Sequence, residues 1–300
     1  GSSILFWLLA FAPGERKNQP ALLEMSVILR DGDGAVSTMR RGMEQAAVDL
    51  NVELRFLPPT ADNSAAEQAH LLERETAGGT QAILLLPADR GVLGEAVSAA
   101  AGRTALVTVE TDMTEWGAGA AVTMDHQALG EALGEAACNG VPTGGTVLLL
   151  DSLPGDNGVR ERMEAAKALL EEKGRQVRIY RWTSDSTAFA NILRVERPKA
   201  VIAFEAAALT EMAELSRGEE AFPLLYGCGS TAGIAAALAK GRVTAIAAVN
   251  VFSAGYLAVE AAAKLARHES WTGASSVGFS IVRQETMYSS DNQKLLFPVT

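Results

Sequence analysis

Polar residues able to do chemistry recur at one kind of place in this sequence: just past an apolar run. Asp31 and Asp33 lie in Asp31-Gly-Asp-Gly34, after the run that ends near Arg30. Glu110, Thr111 and Asp112 follow Val109, and Asp125 and His126 follow Met124. Arg160 comes after Leu150 and a turn-rich loop, Glu205 follows Phe204, and Asn250 follows Val249. Carboxylates accept hydrogen bonds, Arg donates in a planar fork, and Asn does both. Such a set suits hydrogen-bonded capture of a polar molecule in a cleft.

It does not suit catalysis. The chain has no Gly-x-Ser-x-Gly elbow, no Walker loop and no Gly-x-Gly-x-x-Gly after a strand. Asp31-Gly-Asp-Gly34 resembles the start of a calcium loop, but the later ligands and the closing Glu are missing. His70, His126 and His268 never fall at the i, i+4 spacing of a helical zinc site, and Cys138 and Cys228 lack metal spacing. No cofactor, no metal and no enzyme activity are expected.

The stretch Asp151–Leu170 shows how such residues are positioned. Thr146–Leu150 is an apolar strand, and Val159, Met163, Ala166 and Leu170 recur on one helical face. Asp156 or Asn157 can cap that helix and Gly174 can end it. Arg160 then lies in the first helical turn, beyond the carboxyl end of a strand, where open α/β sheets bind ligands. A cation there is mildly unfavourable for the helix dipole, so a surface role and a ligand role both stand on local sequence.

The same strand–helix plan repeats. Strands are expected at 25–30, 52–57, 81–86, 104–109 and 118–123, with helices at 36–50, 65–75 and 91–101 between them. A second run places strands at 146–150, 176–181, 200–204, 224–227 and 243–250, with helices at 127–138, 158–173, 188–195, 209–216 and 231–240. A helix at 253–267 and a strand at 278–283 close the pattern. Strands separated by helical segments imply parallel sheets built from right-handed crossovers. The fold class is therefore α/β, with two doubly wound parallel-sheet (Rossmann-like) lobes.

Composition agrees. A chain of 300 residues exceeds one ordinary domain, and a hydrophobic content of 48% fills two cores. A net charge of −10 argues against a nucleic-acid partner. Ile4–Ala12 is strongly apolar but too short to span a bilayer. It is expected to be the trailing end of a signal peptide or membrane anchor, with a buried or amphipathic helix as the alternative.

With its motifs in order, the sequence resembles the type I periplasmic binding proteins, in particular the ribose-binding-like sugar receptors related to the LacI repressor sensor domain. The resemblance covers about residues 25–285. It rests on Met39–Ala47 around Gly42, Ile83–Asp89, Val107–Glu110, Met124–Gly130 and the segment from Gly155 to Arg160-Glu-Arg162. It implies two lobes joined by a three-segment hinge with crossings near 124–127, 248–252 and 282–285. The first lobe would then comprise 25–125 plus 250–283 and the second 126–249 plus 284–300, after an anchor remnant and linker at 1–24.

The resemblance also implies that Arg160 hydrogen-bonds ligand hydroxyls, that Glu110 accepts from paired hydroxyls, and that Asp33 belongs to the first-loop set. Several family positions differ. Ala35 and Val36 stand where aromatic rings stack, Thr111 where an Arg follows the carboxylate, and Ala206 and Gly229 where polar groups occur. Trp182, Phe204, Tyr226 or Phe252 can supply a ring, or can pack in the core. An acidic pocket of Asp31, Asp33 and Glu110 can instead favour a ligand carrying a cation or many donors.

The expected function is that of an extracytoplasmic, monomeric solute-binding protein. It would deliver a small sugar-like ligand to an ABC permease or report it to a membrane sensor. The alternatives are the effector domain of a LacI-type regulator and a receptor-like module with a degenerate site. The candidate ligand set is Asp31, Asp33, Glu110, Thr111, Asp125, Arg160, Trp182, Glu205 and Asn250. No disulfide is expected.

Overall fold

The computed structural model describes residues 20–31, 33–61, 63–219 and 221–298, without the side chains of 33–36 and Ala274. The apolar segment Ile4–Ala12 lies outside the described residues. In chain order the first run is β1 (Leu23–Ile28), α1 (Asp33–Leu50), β2 (Val52–Leu57), α2 (Ala65–Ala77), β3 (Ala82–Leu85), α3 (Arg90–Ala101), β4 (Ala105–Glu110) and β5 (Ala120–Met124). The second is α4 (His126–Gly140), β6 (Thr146–Asp151), α5 (Asn157–Glu172), β7 (Gln176–Arg181), α6 (Ser186–Glu196), β8 (Ala200–Ala203), α7 (Ala206–Leu215), β9 (Leu224–Cys228), α8 (Ala232–Ala239) and β10 (Ala245–Val249). The chain then adds α9 (Val251–Ala266), β11 (Ala274–Val277), β12 (Phe279–Arg283) and α10 (Ser290–Leu296).

Two six-stranded sheets result, in the orders β11-β5-β4-β3-β1-β2 and β12-β10-β9-β8-β6-β7. All pairings are parallel except β10 with β12. In each sheet the first strand of its run lies between the second and third, so the winding reverses there. That reversal opens the crevice where α/β sheets bind ligands. Strands buried on both faces, such as β3, β8 and β10, are continuous apolar runs as such a sheet requires.

The final strand expected at 278–283 is β12, and a further strand, β11, precedes it. β11 joins the first sheet, and β12 turns back antiparallel onto β10 in the second. Residues 279–283 thus belong with the second lobe, and the third crossing lies at 277–279 rather than 282–285. The chain changes sheet at Gly278, whose carbonyl accepts the Asn250 N–H, tying the third crossing to the second. The other crossings run from Met124 to His126 and from Val249 to Val251.

Two helix pairs, α1 with α9 and α4 with α5, pack against the lobes at unusually close range. A Cβ on Gly42 would overlap the Phe252 carbonyl oxygen, and one on Gly255 would overlap that of Met39. A Cβ on Gly130 would likewise overlap the Arg162 carbonyl oxygen. Glycine here removes the side chain so that backbones touch, which fixes α5 and everything on its first turns. Near the same end of the pair, Gly158 accommodates the His126 ring.

Candidate functional site

A cavity of about 90 Å³ lies between the carboxyl ends of the two sheets. Arg30 and Asp31 reach it from the end of β1, Glu110 from β4, Arg162 and Val159 from α5, Glu205 from the start of α7, and Cys228 from β9. Hydroxyls of Ser37, Thr38, Ser230 and Thr231 complete its polar wall. Met39, Met124, Val159, Val249 and Val251 supply the apolar part, and no aromatic ring lines it among the described residues.

Arg30 organises the first-lobe wall. It is 7% exposed and donates from NH1 to Glu110 Oε2 at 2.9 Å and to Asp156 Oδ2 at 2.6 Å. Its Nε donates to Asp31 Oδ2 at 2.9 Å. Asp156 belongs to the second lobe, where its other oxygen caps α5 by accepting the Val159 N–H. The bond from Arg30 therefore spans the cleft. Nearby, Gly155 lets the same loop approach Asp89 of the first lobe.

Burial opposes ionisation of Glu110, but the charges of Arg30 and Arg162 outweigh it and hold the carboxyl below its ordinary value. Glu110 also has a left-handed backbone, with φ of 72°. That conformation is sterically unfavourable for a side chain with a Cβ. In it, the side chain meets Arg30 while the carbonyl accepts from His126 Nε2 at 2.8 Å.

Arg162 organises the opposite wall. It is 5% exposed, and its hydrogen bonds go to neutral acceptors. They are His126 Nδ1 at 3.0 Å, the Phe204 carbonyl at 2.8 Å, Cys228 Sγ at 3.3 Å and Met124 Sδ at 3.0 Å. A buried cation answered by weak acceptors retains capacity for an acceptor-rich ligand. Glu205 faces the same space. It accepts from Ser152 Oγ and from the Ala207 and Ala208 amides, each at 2.9 Å. Burial pushes its carboxyl above the ordinary range despite those bonds, and the charge of Asp31 adds to the rise.

The sequence-derived set divides on this geometry. Asp31, Glu110 and Glu205 line the cavity. Asp33 opens α1, and its side chain lies outside the described residues. Thr111 is buried but outside the lining. Asp125 and Asn250 cap α4 and α9 through Ala128 N and Ser253 N at the two adjoining crossings. Trp182 is 6% exposed in the second-lobe core, edge-on to Phe189, with Nε1 donating to Glu211. Arg160 is exposed and outside the lining; the inward arginine is Arg162.

The reason is helical geometry. Val159, Arg162, Met163 and Ala166 share the buried face, whereas Arg160 is turned about 100° away from Val159. The period used to find the helix thus already pointed to Arg162. Arg30 and Asp156 lie outside the sequence-derived set, as does His126, although its place after Met124 marks it in the sequence. Arg30 has a signal in its place as the charged end of an apolar run; the bond from Asp156 to Arg30 needs the tertiary fold. Both cysteines are free.

Residues 26–270 match the family described as "Periplasmic binding protein domain". No curated protein matches the chain. Among solved structures, a carbohydrate transporter solute-binding protein from Agrobacterium radiobacter in complex with D-arabinose aligns with TM-score 0.86 at 17% identity, over 92% of this chain and 99% of that one. An ABC transporter solute-binding protein from Agrobacterium vitis with bound D-fucose aligns with TM-score 0.83 at 17% identity, over 91% and 100%. A second from Agrobacterium vitis, bound with alpha-D-tagatopyranose, gives 0.82 at 17%, over 92% and 100%. These likenesses establish the type I periplasmic binding protein fold, with two α/β lobes.

Proposed function

The chain belongs to the periplasmic binding protein domain family, and from that premise we propose that it captures one small sugar between its lobes for an ABC transporter. The observation that carries this reading is the inter-lobe cavity, with Arg162 on one wall and Glu110 and Glu205 as acceptors beside it. A sugar ring offers alternating donors and acceptors, and ionic partners give the stronger hydrogen bonds to them. A water occupies roughly 10–15 Å³ by the measure used for such cavities. A cavity of about 90 Å³ therefore suits a ligand on the scale of one monosaccharide. The solved proteins named above are bound to D-arabinose, D-fucose and tagatopyranose, which supports the same class.

In this reading the protein works outside the cytoplasm as a monomer, binds without chemistry, and presents its closed form to a permease. The lobes, 20–124 with 251–277 and 126–249 with 279–298, close by rotation at the three crossings. Among the described residues, no helix is long and apolar enough to cross a membrane.

A thermal-shift screen with pentoses, hexoses, deoxysugars and polyols tests the reading. A ligand present at a hundred times its dissociation constant adds about 2.7 kcal/mol of stability, or roughly 5–10 °C for a protein of this size. Titration calorimetry of the hits should give one site per chain. No shift across the whole panel would sink sugar capture.

A further inference from the structure

We propose that Arg30 is a built-in counter-ion that determines the ligand specificity of the cleft: by pairing with Asp31, Glu110 and Asp156 it occupies the acceptors a cationic ligand would need and leaves the site to a neutral polyhydroxy one. The proposal rests on the sugar-capture reading and narrows it.

Three carboxylates converge on one guanidinium. Glu110 and Asp156 both accept from NH1, at 2.9 and 2.6 Å, and Asp31 pairs with NH2 and Nε, each at 2.9 Å. Two of these acids come from the first lobe and one from the second. With Arg30 removed, they would form an acidic pocket suited to a protonated amine. With Arg30 in place, an amine must displace a cation that already makes four contacts. It would also leave that cation buried, 7% exposed, without partners. A neutral sugar needs no such displacement. It meets the edge of Arg30 that lines the cavity, together with Arg162 and the hydroxyls of Thr38 and Thr231.

Among the described residues, the cleft carboxylates Asp31, Glu110, Asp156 and Glu205 outnumber the two arginines, Arg30 and Arg162, so an amine is shut out by occupied acceptors rather than by a neutral site. Glu205 is bonded by Ser152 and two α7 amides rather than by a cation. Arg30 is thus the one paired cation among these groups, and specificity between neutral and charged ligands turns on it.

The test compares wild type with Arg30→Gln and Arg30→Lys by titration calorimetry, at about pH 6 where a sugar amine is protonated. The probes are D-arabinose, D-fucose and D-galactose against D-galactosamine. Wild type and Arg30→Lys should prefer the neutral sugars. Arg30→Gln should shift the neutral-to-amine affinity ratio toward the amine by at least about tenfold, and an unchanged ratio would overturn the proposal. A second measurement needs no ligand: the stability deficit of Arg30→Gln should be largest near pH 7 and shrink toward about pH 4, as the orphaned Glu110 carboxylate protonates. If no probe binds any of the three proteins, sugar capture fails. The counter-ion role is then decided by this pH dependence, and a deficit equal at both pH values overturns it.

Discussion

Arg162 donates through Nε to Nδ1 of His126 at 3.0 Å, which leaves the remaining imidazole proton on Nε2, directed at the Glu110 carbonyl 2.8 Å away. A protonated His126 cannot accept from Arg162 and would set two cations side by side. Burial, with the charge of Arg162, holds the His126 pKa below its ordinary value of 6.5. The unfolded chain therefore binds this proton more readily than the folded one. The contribution is fully present above 6.5 and is lost as pH falls through the lower folded value. Melting curves from pH 8 down to about 5 should show a fall in stability that His126→Asn reduces. An identical fall in the variant would exclude His126 as its source.

Arg162→Ala should abolish ligand binding and cost roughly 2–4 kcal/mol, because it orphans the Phe204 carbonyl and the His126 ring in a buried site. Arg160→Ala, at an exposed position two residues away, should change stability by less than about 0.5 kcal/mol and leave affinity intact. Denaturant titration and calorimetry on the pair check both halves. Loss of binding in Arg160→Ala alone would reverse the assignment.

Gly130→Ala should destabilise the second lobe by about 1–3 kcal/mol, since its methyl group would strike the Arg162 backbone across the α4–α5 contact. Affinity should weaken with it, because the displaced segment carries Arg162. Gly144→Ala is not a matched control despite its open surroundings, because φ there is 85°. Gly233→Ala, in open space on α8, is, and it should be near neutral or slightly stabilising.

Trp182→Ala should cost about 3–5 kcal/mol as a core truncation. The folded fraction should bind ligand as wild type does. Stacking of the indole on a sugar would instead show as lost affinity at full folding, read by calorimetry below the melting transition.

The strand–helix alternation was legible because parallel sheets write themselves as apolar runs, and Leu84 or Val201 can only be core. The closing segment was not. Antiparallel return of β12 onto β10 depends on contacts that residues 274–283 do not display locally. Within the site, Glu110 and Glu205 were visible because each ends or follows a strand. Arg160 stands out in the sequence by its place in the first helical turn and by the family resemblance, although Val159 and Ala166 define the inward face on which Arg162 falls. The acidic pocket expected around Asp31 and Glu110 is real, but its acceptors are already taken by Arg30. That pairing spans 80 residues and no spacing rule reaches it.

The packing of α9 on α1 bears on how the chain is made. The Gly42 contact in α1 is completed by Phe252, and the first sheet gains its edge strand only at Ala274. Synthesis at about 5–20 residues per second separates Gly42 from its partner by on the order of ten to forty seconds. Throughout that interval the nascent first lobe carries an uncovered helix face on the ribosome. The second lobe waits in turn for β12, so neither lobe can mature before residues 274–283 have been translated.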